Sequence, residues 1–97
     1  MHIGICRISA HLPEATNLKE KRQVARSLTA RLRNQFNVAV AEVDHNDLWQ
    51  RLTIGVCCIS NETAHAHETM SKIVSFVEEF SGDLILLDYE TELISGV

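Results

Sequence analysis

Apolar residues recur along this chain with two periods, and the switches between them mark six elements. Residues 2–12, HIGICRISAHL, form an Ile-rich run that ends at Pro13, as a strand does. Asn17 follows as an N-cap, with Glu20 three positions on, the spacing of a capping box. From Leu18 the apolar positions fall at Val24, Ala25, Leu28, Leu32 and Phe36, a helical period. NVAVAEV (37–43) is a β-branched second strand, and DHND (44–47) is a turn. A third strand lies within LWQRLTIGVCCIS (48–60). Ser60 or Asn61 then caps a second helix, whose Ala66, Met70, Ile73, Val74, Val77 and Phe80 repeat at helical spacing. SGD (81–83) ends it, and LILLDYETEL (84–93) is the fourth strand.

The order β-α-β-β-α-β, with a short hairpin between strands two and three, predicts a single ferredoxin-like α+β domain over residues 1–97. Right-handed crossovers put both helices on one face of a four-stranded antiparallel sheet. In strand three, Leu52, Ile54, Val56 and Cys58 share one side, and Cys57 and Ile59 take the other. Strand four offers Leu84 and Leu86 on one side and Ile85, Leu87 and Tyr89 on the opposite one. Helices cover only one face, so the other keeps apolar residues that call for a cover. A homodimer packed through the sheet is the simplest cover; dilution of that face by Gly4, Gly55, Arg7 and Thr53 is the alternative.

Composition narrows the class. An apolar share of 45% with 23% charged residues is that of an ordinary globular protein. No apolar run approaches the ~20 residues of a membrane-spanning helix. The N-terminal MHIGICRISAHLP does not read as a signal peptide. Cys6, Cys57 and Cys58 form no CxxC pair and no even-numbered disulfide framework, so the expected compartment is the reducing cytoplasm. Charge is split between the halves. Residues 1–51 carry eight Lys and Arg against five Asp and Glu, and residues 52–97 carry one against eight. A dipolar surface of this kind steers partners or self-association.

The residues also carry a resemblance. The stretch 11–55, with LKEKR, FNVAVAEV and DLWQR, and the later FVEE and LLDYETE, resembles the YlxP-like family of small bacterial proteins. The resemblance implies a ferredoxin-like fold and no defined activity. Its members are encoded near translation and ribosome-maturation genes, which is an association and not a mechanism.

Six of the nine Lys and Arg residues fall within residues 17–36 of a chain whose net charge is −4. At 100° per residue, Lys19, Arg22, Arg26 and Arg33 lie within about 60° of arc beside the apolar face. Arg31 lies on the far side with Glu20. Lys21 points into the apolar arc, so its stem should pack and its ammonium reach solvent at the helix start. Lys19, Lys21 and Arg22 all oppose the helix dipole, which implies compensating carboxylates or a functional reason.

The topology gathers His11, Lys19, Lys21, Arg22, Asp44, His45, Asp47, Trp49 and Arg51 at one end of the sheet. That end is a candidate anion or nucleic-acid site built from Lys19, Lys21, Arg22, Arg26, Arg33, Arg51, His11 and Trp49. Glu14, Asp44 and Asp47 are the alternative answer to the cations, as ion pairs. Trp49, the single tryptophan, reads as a partly buried anchor closing the hairpin end of the core, with base stacking as the second reading. Strands one and three lack the aromatics that an RRM uses to stack bases, so any RNA contact would read backbone and shape.

Other chemistry is thinly represented. His65 and His67 point about 160° apart on a helix and cannot share a metal. Cys57 and Cys58 face opposite sides of a strand. There is no GxGxxG and no P-loop. The leading expectation is a non-enzymatic module that binds structured RNA or a ribosomal particle, with no cofactor, no membrane and no DNA specificity. A homodimer working through the open sheet face is the second, and an enzyme using His11 or His45 the third.

Overall fold

The structure, a computed structural model, describes residues 1–80 and 83–97; the helix stop predicted at 81–83 falls partly outside them. The elements are β1 (His2–His11), α1 (Leu18–Gln35), β2 (Ala39–Asp44), β3 (Arg51–Ser60), α2 (Thr63–Glu78) and β4 (Ile85–Ser95). The strands form one antiparallel sheet in the order β2-β3-β1-β4, with both crossover helices on one side, the ferredoxin-like arrangement.

Alternation decides which side is covered. Cys6, Ile8 and Ala10 of β1, Val40 of β2, and Leu52, Ile54, Val56 and Cys58 of β3 are buried beneath Leu28 and Leu32 of α1 and Ala66, Met70, Ile73, Val74 and Val77 of α2. Gly4 belongs to this covered face and not to the open one. A Cβ there would stand 3.2 Å from Met70 Cγ and 3.0 Å from Cys58 Sγ, so glycine admits the close approach of α2. Burial pushes the Cys6 thiol up to about 11, which leaves it an apolar core residue. Phe76 bridges Phe36 and Phe80 in an aromatic cluster, at centroid distances of 6.0 and 6.3 Å.

The helix ends differ in how they are finished. Asn17 Oδ1 accepts the Glu20 N–H at 2.9 Å, and Glu20 Oε1 accepts hydrogen bonds from Asn17 Nδ2 and the Thr16 hydroxyl. The N-cap of α2 is Glu62 and makes no side-chain capping bond. Ser60, read as a possible cap, instead accepts the Glu62 N–H at 3.1 Å.

The open face carries Ile3, Ile5, Arg7, Ser9 and His11 of β1 and Arg51, Thr53, Gly55, Cys57 and Ile59 of β3. On β4 the register slips: Ser9 pairs with Asp88, but Ala10 pairs with Leu86, so Leu87 is an extra residue. The slip reverses the expected facing of Tyr89, which pairs with Ile8 and belongs to the helix side of the sheet. It stays about half exposed.

Candidate nucleic-acid interface

Helix α1 carries two kinds of cation. Lys21 is fully buried, which corrects the expectation of a solvent-reaching ammonium. Its Nζ lies 2.6 Å from Glu42 Oε2 and donates to the His45 carbonyl at 2.6 Å. The Glu42 oxygen meets that ammonium as a charge contact off hydrogen-bond geometry and has no other partner among the described residues. Val40 and Glu42 are the inward positions of β2, so the strand's alternation itself brings a carboxylate to the helix. Sequence reasoning missed Glu42, because it weighed only Glu14, Asp44 and Asp47 as answers to the cations.

The other cations stay outside. Lys19, Arg22, Arg26 and Arg33 are exposed, and among the described residues none of them has a carboxylate within 4.0 Å. Arg33 Nη2 donates to the Val40 carbonyl at 2.7 Å, which places the stripe on the side of α1 that borders edge strand β2. Arg31, on the opposite flank, has its guanidinium 5.2 Å from the Phe80 ring centre. The helix start is partly occupied by its own cap and flanked by acids. Asn17 takes the Glu20 N–H on its side chain and the Lys21 N–H on its backbone carbonyl, and a concavity of about 270 Å³ beside it includes Glu14, Glu20 and Asp83 in its lining.

The hairpin end is fastened to the α1 start by Gln50, a residue the sequence analysis did not single out. Its amide donates to the Pro13 and Ala15 carbonyls at 3.2 Å each, and its carbonyl accepts from Leu12 N–H at 3.0 Å and His11 Nδ1 at 3.1 Å. His45 turns the chain with φ of 58°, and its Nδ1 bonds the buried Thr53 hydroxyl at 2.7 Å. Ser9 Oγ lies 3.3 Å from the same hydroxyl. Asp44 accepts from the His45 backbone N–H at 2.7 Å and from Arg7 at 3.1 Å. That backbone bond, then the charge of the His45 ring and of Arg7 and Arg51, holds its carboxyl below the usual range. Neither His11 nor His45 bonds a carboxylate through its ring among the described residues.

Trp49 is not a core anchor. It is 52% exposed and, with Leu48 and Leu87, forms the apolar wall of a pocket of about 630 Å³ that also includes His11, Asp47 and Arg51. An aromatic beside a turn closes a core only when the loop folds over the sheet, and this loop is drawn instead toward α1 by Lys21 and Gln50. Thus Lys19, Arg22, Arg26 and Arg33 stand together on the α1 edge, His11, Trp49 and Arg51 stand together at the hairpin, and Lys21 joins neither group.

Fold and surface together define a small ferredoxin-like α+β protein with a cationic helix edge and an uncovered sheet face. The chain belongs to the family described as protein of unknown function (DUF503), whose model matches residues 3–91. It is similar to the uncharacterized protein YlxP of Bacillus subtilis (strain 168), with 30% identity over 78 residues, 80% of this chain and 85% of that one. Its fold matches the de novo designed protein Foldit4 over 100% of both chains, with a TM-score of 0.55 at 7% identity. That likeness concerns architecture alone. Among the described residues no helix is long and apolar enough to cross a membrane.

Proposed function

We propose that this protein is a non-enzymatic module that binds structured RNA or a ribonucleoprotein through the α1 edge. The observation that carries the reading is the set Lys19, Arg22 and Arg26: exposed, on one side of one helix, and without a carboxylate partner among the described residues, in a chain of net charge −4. An ordinary solvated helix face in an acidic protein mixes its charges, and the Glu68–Lys72 pair of α2, at 2.7 Å, does so. Clustered cations answer phosphates, and the resemblance points to the translation apparatus as the source of the RNA. Arg33 is a weaker contributor, because it already serves the Val40 carbonyl.

The test is the anisotropy of a fluorescein-labelled ribosomal stem-loop, titrated with protein at several salt concentrations. Lys19→Glu/Arg22→Glu/Arg26→Glu should abolish binding at moderate salt. Neutralising three phosphate contacts also predicts that the triple variant lowers the log–log salt slope by roughly 2–3. Unchanged affinity and slope in that variant would sink the reading.

One observation favours a second reading, a homodimer through the sheet. The exposed large hydrophobic residues, including Val43, Trp49, Ile59, Ile85, Leu87 and Ile94, lie on strands, the hairpin or the termini, and none lies on a helix. The same face sets Arg7 and Arg51 of β1 and β3 against Asp88, Glu90 and Glu92 of β4, so a second copy offers it complementary charge. Light scattering decides this: a dimer that Ile59→Lys converts to a monomer supports it, and a monomer at all concentrations removes it.

A further inference from the structure

The hairpin pocket combines two surfaces that ask for different things. Leu48, Trp49 and Leu87 are each about half exposed and form an apolar wall. Arg51, on the same pocket, has its Nε buried without a hydrogen-bond partner among the described residues. That atom is closed to solvent, whereas the partly exposed Arg51 side chain has no ion pair among the described residues, so its terminal N–H groups can meet an acceptor in the pocket. His11 adds a second polar point: its Nδ1 faces the Gln50 carbonyl, which only accepts, so the proton sits on that nitrogen and Nε2 is left available.

These demands select the occupant. An aliphatic side chain would cover the wall and leave the guanidinium unanswered. A lone phosphate would answer the guanidinium and leave the wall wet. A flat ring that carries an anion meets both. We propose that the pocket takes one unstacked nucleotide, its base on the Trp49 indole and its phosphate at Arg51, with Asp47 accepting an N–H from the base. The inference rests on the RNA reading for its choice of nucleotide over other anionic rings. Within that reading it supplies the base contact that the aromatic-free strands β1 and β3 lack.

Trp49 is the single tryptophan, so its emission reports this pocket alone. The experiment is a titration of the full chain with GMP, with ribose 5-phosphate and inorganic phosphate as comparisons. Saturable quenching by GMP, absent with both comparison anions and weakened about tenfold or more by Arg51→Gln, is the expected result. Calorimetry of Trp49→Leu, with an unchanged thermal melt, should show the GMP heat lost. The Lys19/Arg22/Arg26 triple reversal should keep the GMP response while losing the stem-loop, so the two proposals fail separately. Absence of saturable quenching, equal response to ribose 5-phosphate, or a Trp49 shift that follows protein concentration without nucleotide would each overturn the pocket assignment; the last would give the wall to a second copy.

Discussion

Two cations two residues apart on α1 have opposite fates. Lys19 is exposed and has no carboxylate within 4.0 Å among the described residues, whereas Lys21 is fully buried against Glu42 and the His45 carbonyl. The difference is one of azimuth: two residues turn the helix by about 200°, from the free edge to the sheet. It shows that the basic character of this segment is not one property. The inner cation ties α1 to β2 and to the hairpin, and the outer ones remain available. The broken dipole rule is thereby divided. Glu42 and a backbone carbonyl compensate Lys21, while Lys19 and Arg22 stay uncompensated near the helix start.

The sharpest way to break the inner half is Glu42→Gln. It leaves a buried ammonium without its counter-charge, which typically costs about 3–5 kcal/mol. In a domain of this size that lowers Tm by roughly 15–30 °C, readable by circular dichroism or calorimetry. Lys21→Met should cost less, about 1–3 kcal/mol. Its apolar stem still packs, and the Glu42 side chain, 23% exposed, has access to water. Equal losses in the two variants would show that packing, and not the buried charge, holds this contact.

The elements were legible because burial dictates their periods. Val24, Leu28 and Leu32, or Leu52, Ile54 and Val56, announce a covered face whatever the rest of the chain does. What escaped depends on relations between distant residues. Glu42 reads locally as the polar member of an alternating strand, and only the packing of β2 under α1 makes it the answer to Lys21. The extra residue Leu87 leaves no mark in LILLDYETEL, yet it sends Tyr89 to the opposite face from the one that alternation alone predicts. Gly4 carries no sign of its covered position in the sequence, since a glycine shows no preference between facing water and facing a helix. Trp49 looks the same in sequence whether its loop folds over the sheet or away from it. Of the candidate site, the stripe was legible from angle alone; the absence of carboxylate partners was not.

The next smaller effect concerns how the helix start is held. Asn17→Ala removes the acceptor for the Glu20 N–H and a donor to the Glu20 carboxylate, at a cost of about 1 kcal/mol. Because the cap belongs to neither cation group, stem-loop affinity should be unaltered while Tm falls by roughly 4–8 °C. A parallel loss of RNA binding would mean that the outer cations depend on a fully formed first turn, and would blur the separation between the two sides of α1.

The smallest effect discriminates best. Lys19 occupies the second helical position, where the macrodipole disfavours a cation, so Lys19→Glu should raise stability by about 0.3–1 kcal/mol at low ionic strength. No ion pair or hydrogen bond of the Lys19 side chain is lost among the described residues, and the neighbouring Glu20 carboxylate keeps the gain toward the low end of that range. Raising the salt from 10 mM to 1 M should erase it, because the Debye length shrinks from about 30 to 3 Å. The same substitution should weaken stem-loop binding. Stability rising while affinity falls is the signature of a residue kept for a partner at the expense of its own helix. If both measurements are unchanged, Lys19 belongs to an ordinary solvated face, and the outer half of the comparison contracts to Arg22 and Arg26.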